Sequence, residues 1–150
     1  VDHKRKTHNK VVLNFWDLAG DPKYENLVHR YFTNSDIILL VYNCSDILDS
    51  LQYIKKFYYN NYNIIENKKL ILVGNKYDLY NSQNIYNLYE FCTETNIKNF
   101  YVSCKTKYGI KDLINFISNN HLEKIIEDEH EEILQSYHKF SNKYNCCILL

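Results

Sequence analysis

Hydrophobic positions change period along this chain, and the changes mark its elements. Over residues 11–16 they alternate, with Val11, Leu13 and Phe15 on one face, which predicts a half-buried strand. The polar, basic stretch 1–10 before it suits an antiparallel edge partner. Residues 37–42 and 70–73 are unbroken apolar runs, the pattern of strands covered on both faces. Residues 99–102 are a shorter fourth candidate. Helical spacing falls between these runs. Asp21-Pro22 joins an N-cap residue to a proline suited to a first turn and opens a short helix toward Tyr31. Leu51, Ile54 and Phe57 mark a second helix, Ile85, Leu88, Tyr89 and Cys92 a third, and Ile110, Leu113, Ile114 and Ile117 a fourth. Alternating strands and helices predict an α/β fold, a mostly parallel sheet with helices on both faces.

From about His121 the character shifts. Glu123, Glu127, Asp128, Glu129, Glu131 and Glu132 form an acidic stretch, while Leu122, Ile126, Ile133, Leu134 and Tyr137 keep a rough helical period. An acidic helical extension is expected there, and a flexible tail after Phe140. The division expected is therefore one domain over residues 1–120 and an extension with tail over 121–150.

Composition narrows the classes. An apolar fraction of 45% is enough for a core. Eighteen basic and 18 acidic residues cancel, so no electrostatic footprint for nucleic acid is present. No run approaches the roughly 18 apolar residues of a membrane span. Five cysteines, an odd number without metal-ligand spacing, read most simply as reduced thiols. The heavy use of Asn, Lys, Tyr and Ile resembles a genome-level bias. The chain begins abruptly at Val1, and the expectation is a piece of a longer product.

Three motifs carry candidate chemistry. Asn75-Lys76-Tyr77-Asp78 closes the strand at 70–73. Asp78 can accept two hydrogen bonds at once, and guanine offers two adjacent donors, N1–H and N2–H₂, where adenine has no such pair. Asn75 can ligate the base and brace neighbouring loops, and the Lys76 stem can lie over the base. Read alone, the same residues also suit an ordinary polar turn. Trp16-Asp17-Leu18-Ala19-Gly20 ends the first strand: Asp17 can hold magnesium through a water, and Gly20 can offer an unhindered N–H to a terminal phosphate, or the pair can simply make a turn. Ser103-Cys104-Lys105 follows the fourth strand, where backbone N–H groups can reach guanine O6 and the Ser103 hydroxyl can brace Asp78.

In this order and spacing, W-D-x-A-G, an apolar strand, N-K-x-D and S-C-K together resemble the Ras superfamily of small GTPases, and most nearly its Rab branch. Tyr31-Phe32, Leu40-Val41-Tyr42 and Asp49-Ser50-Leu51 also match Rab patterns. The resemblance runs from about Lys10 to Asn119 and includes the C-terminus. It implies a small GTPase fold, with GTP or GDP and Mg²⁺ as ligands. Asn75, Lys76, Asp78, Ser103, Cys104 and Lys105 would bind guanine. Asp17 and Gly20 would belong to the nucleotide-sensing switch. Trp16 and Tyr31 would match two aromatics through which Rab proteins meet effectors, with core packing as the other reading.

Two departures qualify that picture. The family's phosphate loop, G-x-x-x-x-G-K-[ST], needs glycines five apart, and Gly20, Gly74 and Gly109 are the three here. Residues 1–120 therefore read as a partial GTPase domain lacking its amino-terminal portion. Without the phosphate cradle, weak nucleotide binding is expected, on the order of millimolar. The absent segment would supply a central strand between residues 11–16 and 37–42, and its loss is expected to leave two open edges or to make those strands pair directly. The second departure is Asp21, which stands where the family has the Gln that orients the attacking water, so slow hydrolysis is expected. Asp21 also reads as a plain helix cap.

The last residues, Cys146-Cys147-Ile148-Leu149-Leu150, form a C-a-a-X box at Cys147 with Leu at X, which usually selects geranylgeranyl, and Cys146 can take a second lipid. The expected function is a Rab-like switch in vesicle-mediated traffic. Its partners would be guanine nucleotide, Rab-type effectors and regulators, and membrane through prenyl groups. Its place would be the cytoplasmic face of intracellular membranes, with a cytosolic pool. The alternatives are a nucleotide-independent pseudo-GTPase interaction module and an unrelated α/β domain with chance motifs.

Overall fold

The computed structural model describes residues 2–8, 11–19, 25–80, 82, 85–119 and 143–149. Strand β1 (Asp2–His8) pairs antiparallel with β2 (Val11–Leu18), as its uniformly polar character suggests for an edge. Helix α1 (Glu25–Thr33) leads to β3 (Ile37–Asn43), α2 (Ile47–Asn60) and the single turn α3 (Tyr62–Ile65). Then come β4 (Lys69–Asn75), α4 (Ile85–Thr95), β5 (Lys98–Tyr101), helix α5 over residues 110–119, and β6 (Lys143–Leu149). The strand order is β1-β2-β6-β3-β4-β5, and every pairing except β1 with β2 is parallel. The α/β reading of the sequence is thus the observed architecture.

Alternation sorts each strand's side chains to two faces. On one face Leu18, Ile38, Leu40, Tyr42 and Leu72 meet Phe32 of α1, Leu51, Ile54 and Phe57 of α2, and Leu88 and Phe91 of α4. On the other, Val11, Leu13, Ile37, Leu39, Ile71 and Val73 meet Leu113, Ile114 and Ile117 of α5. Phe15 and Val41 pack against this second cluster while remaining partly open. Among the described residues no helix is long and apolar enough to cross a membrane.

The centre of the sheet differs from the sequence expectation. Strands β2 and β3 neither present open edges to one another nor pair directly. Residues 143–149, expected as a flexible tail, lie between them: Val12–Leu18 match Lys143–Leu149, and Ile37–Leu40 match Cys146–Leu149. The physical reason is hydrogen bonding. Two long apolar strands side by side leave facing rows of unpaired N–H and C=O groups, and any extended segment able to reach them satisfies both rows.

Gly74 of β4 leaves room for a neighbour: a Cβ there would sit 2.6 Å from the Tyr42 hydroxyl and 2.7 Å from Cys44 Sγ. Beside it, burial pushes the Cys44 thiol up from 9.0 to about 11, and burial likewise raises the Tyr42 and Tyr101 hydroxyls. Between about pH 9 and 11 the unfolded chain sheds the Cys44 proton while the folded chain keeps it. Urea midpoints should therefore fall across that window and stay flat just below it.

Candidate functional site

The carboxyl ends of β4 and β5 bring two sequence motifs side by side, where ligands sit in open α/β sheets. Backbone bonds tie them: Val102 N–H donates to Gly74 O at 2.8 Å, and Tyr77 N–H to Val102 O at 3.0 Å. Lys76 takes a left-handed backbone (φ 60°), which turns the chain out of β4 into a single 3₁₀ turn, Tyr77–Leu79. Asn75 stabilises that turn, its Oδ1 accepting from Lys76 N–H at 2.7 Å and from Cys104 N–H at 3.2 Å. With the carboxamide oxygen engaged twice, its donor end is the one left for another acceptor.

Asp78 is held as firmly. Ser103 Oγ donates to Asp78 Oδ1 at 2.5 Å, and the same Oγ accepts from Thr106 N–H at 3.1 Å. Because the Thr106 donor occupies the serine oxygen, the hydroxyl proton is directed at the carboxylate. Lys105 Nζ stands 3.9 Å from Asp78 Oδ2, but the Lys105 side chain is 81% exposed, so this pair adds little. The site thus carries a fixed carboxylate with spare acceptor capacity.

All six residues expected to read guanine are therefore brought together: Asn75, Lys76, Asp78, Ser103, Cys104 and Lys105. One detail differs. The Cys104 N–H, expected among the donors to guanine O6, serves Asn75 instead, because joining the two loops satisfies it locally.

Sequence reading missed an aromatic brace beneath these loops. Tyr77, the variable position of the N-K-x-D motif, stacks on Tyr108 (centroids 5.2 Å, 19°) and also meets Tyr80 and Tyr101 at 5.2 and 5.0 Å. The tyrosine-rich composition was the only signal available. Tyr108 reaches this place because Gly109 turns the chain with φ 67°, and a Cβ on Gly109 would lie 2.2 Å from the Tyr101 carbonyl oxygen. Gly109→Ala combines left-handed strain with a backbone clash. It should cost about 2–4 kcal/mol, read as a lower urea midpoint.

Asp17, near the end of β2, is half-buried and faces Asp2 across the β1–β2 ladder. It lines a cavity of about 340 Å³ together with Asn75 and Cys104, so the first motif opens onto the same hollow as the loops that carry the other two motifs. Most of the remaining lining is apolar: Phe15, Leu39, Val41, Val73 and Leu113 among others. Among the described residues no three His, Cys, Asp or Glu side chains could hold a metal ion. Asp17 offers one carboxylate, enough to hold a water of a nucleotide-borne magnesium but too little to bind the ion alone. Gly20 and Asp21 lie outside the described residues.

Trp16 and Tyr31 are in contact (centroids 5.4 Å, 43°), and His3 also stacks on Trp16 at 4.3 Å. Both aromatics are half-buried and pack against the first core cluster, so each retains an open part. Cys146 and Cys147 lie in β6, away from this edge in sequence and matched to Phe15 and Trp16 on β2.

Comparison with known proteins agrees with this geometry. A family profile described as "Ras family" matches residues 1–123. The chain is similar to the Ras-related protein Rab-1D of Dictyostelium discoideum, 36% identical over 89 residues, covering 55% of this chain and 43% of the relative. It is 28% identical over 123 residues to human Rab-21, covering 80% of this chain and 54% of that protein. Arabidopsis thaliana RABE1d is 27% identical over 137 residues, covering 86% and 63%. The chain thus spans about half the length of the curated relatives it matches.

Proposed function

This chain belongs to the Ras family, and from that premise we propose that it is the guanine-reading part of a Rab-like switch, alternating between GDP and GTP in vesicle-mediated traffic. The observation that supports this best is the preset carboxylate of Asp78. Its geometry is fixed before any ligand arrives, by the Ser103 hydroxyl and the Asn75-braced loops. A fixed acceptor pair facing N1–H and N2–H₂ selects guanine over adenine without spending binding free energy on ordering itself.

In this reading GTP or GDP is bound with Mg²⁺, Asp17 contributes through a water, and Trp16 and Tyr31 form part of the effector surface. Prenyl groups on Cys146 and Cys147 anchor the protein to the cytoplasmic face of intracellular membranes, with a cytosolic pool. Ligand-observed NMR titration of the chain with GDP and ADP tests the base preference. Guanine-selective binding on the order of millimolar is expected; equal response to ADP sinks the reading.

A second reading is a nucleotide-independent interaction module. It draws on the sequence itself, which contains no G-x-x-x-x-G-K-[ST]. Asp21 carries a separate expectation within the first reading. In a longer chain that carries a phosphate loop, Asp21→Gln should raise single-turnover GTP hydrolysis by about tenfold or more, since a neutral amide can orient water where an anion faces phosphate. An unchanged rate means that Asp21 serves only as a helix cap.

A further inference from the structure

A second cavity, also of about 340 Å³, lies at the other end of the sheet. Lys69 opens β4 and Lys98 opens β5, and both line it. It therefore sits at the amino ends of those strands, about 20 Å along β4 from Asn75. Its lining comes from residues 58–116 alone: the end of α2, α3, the loops into β4 and β5, and Phe116 of α5. The opening between β2 and β3 lies on the far side of β3 and takes no part in it.

The walls are apolar and aromatic. Ile65, Leu70 and Ile97 supply the apolar part, and Tyr58, Tyr62 and Phe116 bring three rings. Tyr58 and Tyr62 meet edge to face (centroids 5.8 Å, 74°), and Tyr62 remains 46% exposed, so ring surface is left for another partner. The charge is mainly positive: three lysines, Lys68, Lys69 and Lys98, stand against one acid, Glu66. Lys98 Nζ lies 4.2 Å from the Phe116 centroid and 5.5 Å from that of Phe100. Lys69 Nζ is 5.1 Å from the same Phe116 centroid, so two positive charges share one ring. A ring face holds a cation in place but supplies no oxygen acceptor. Lys68 Nζ donates to Thr33 O at 2.9 Å, which fixes the ammonium and leaves two of its three donors for another acceptor.

We propose that this cavity is a second ligand site, for a small aromatic phosphate monoester whose ring lies against Tyr58, Tyr62 and the apolar wall and whose phosphate is drawn to Lys68 and Lys98. Aromatic walls favour a ring, which packs against them edge-on or offset. The described residues that line the cavity include lysines and no arginine. Lysine binds phosphate as a point charge, whereas a planar carboxylate is matched best by the arginine fork. A phosphate monoester carries a charge of about −1.5 to −2 near pH 7, which several ammonium groups can share, and it relieves the repulsion between Lys69 and Lys98. The volume is at the low end of ligand pockets, about 300–1,000 Å³, and suits one ring with its phosphate.

Titration of the chain with phenyl phosphate, inorganic phosphate and benzyl alcohol, followed by ¹H–¹⁵N NMR, tests this. Phenyl phosphate should give saturable shifts at the amides of residues 62–69 and 95–98, and should bind at least about fivefold more tightly than either of the other two. Lys98→Met and Lys68→Met keep an unbranched stem and remove the charge. Each should weaken phenyl phosphate about threefold or more and leave benzyl alcohol unchanged. Tyr62→Ala should weaken phenyl phosphate and leave inorganic phosphate unchanged. No saturable shift, equal binding of inorganic phosphate, or full affinity in both lysine variants overturns the proposal. So do shifts confined to residues 75–78 and 103–106, which belong to the N-K-x-D and S-C-K loops. A phosphotyrosine peptide that binds about tenfold more tightly than phenyl phosphate also overturns it, since the occupant is then another chain.

Discussion

Asp78→Asn should move the base preference of this chain from guanine toward xanthine. The carboxylate accepts twice, whereas a carboxamide accepts once and donates once. The surroundings decide which end faces outward. Ser103 receives the Thr106 N–H on its oxygen, so its hydroxyl proton points at residue 78 and needs an acceptor there. The amide oxygen therefore turns to Ser103, and the amide N–H₂ takes the place of the outer carboxylate oxygen. That group meets the 2-amino of guanine donor to donor, but meets the 2-oxo of xanthine as a hydrogen bond. Two charge-assisted bonds at about 1.5–3 kcal/mol each are at stake. The guanine-to-xanthine preference should thus invert by about a hundredfold or more. Competitive ligand-observed NMR with GMP and XMP reads this ratio. Asp78→Ala, which offers neither function, should lose both ligands; retained guanine preference in either variant means that Asp78 does not read the base.

Removal of residues 143–150 should abolish cooperative folding. Strand β6 is matched to β2 at seven positions and to β3 at four. At about 1 kcal/mol net per hydrogen bond, the loss is comparable to the entire stability of a small domain, about 5–15 kcal/mol. The deletion also exposes two parallel, largely apolar edges in the middle of the sheet, which invites pairing between molecules. Calorimetry should show no sharp transition, and the deleted chain should elute as aggregates. A cooperative transition within a few degrees of the full chain would show that β2 and β3 close on each other without help.

These two sites differ in how far the sequence revealed them. The meeting of the N-K-x-D and S-C-K loops was legible because their chemistry is local. Asn75, Asp78 and Ser103 sit in short motifs whose meaning depends on residue type, and the strands that carry them are plain apolar runs. The outer strand β1 was legible for a similar reason, since seven polar positions beside an amphipathic strand suit only an edge. Strand β6 was hidden. Lys143, Tyr144 and Asn145 show no strand periodicity, and the Cys-Cys pair carries a stronger local meaning as a modification signal. What makes the segment a strand is an opening between β2 and β3, distant in sequence. The stack of Tyr77 on Tyr108 was hidden in the same way, because it exists only once Gly109 has folded one loop beneath another.

The position of β6 also sets a timetable. Strands β2 and β3 are made early, yet the strand that joins them is the last described element to leave the ribosome. Until then the nascent chain carries two half-sheets, β1-β2 and β3-β4-β5, whose facing edges have nothing to hold. Contacts between residues 12–18 or 37–40 and residues 143–149 are among the most distant the chain can make, and such contacts close slowly. The sheet should therefore close only after residues 143–149 have left the ribosome, with a long interval in which the half-formed sheet depends on chaperones to stay apart from its neighbours.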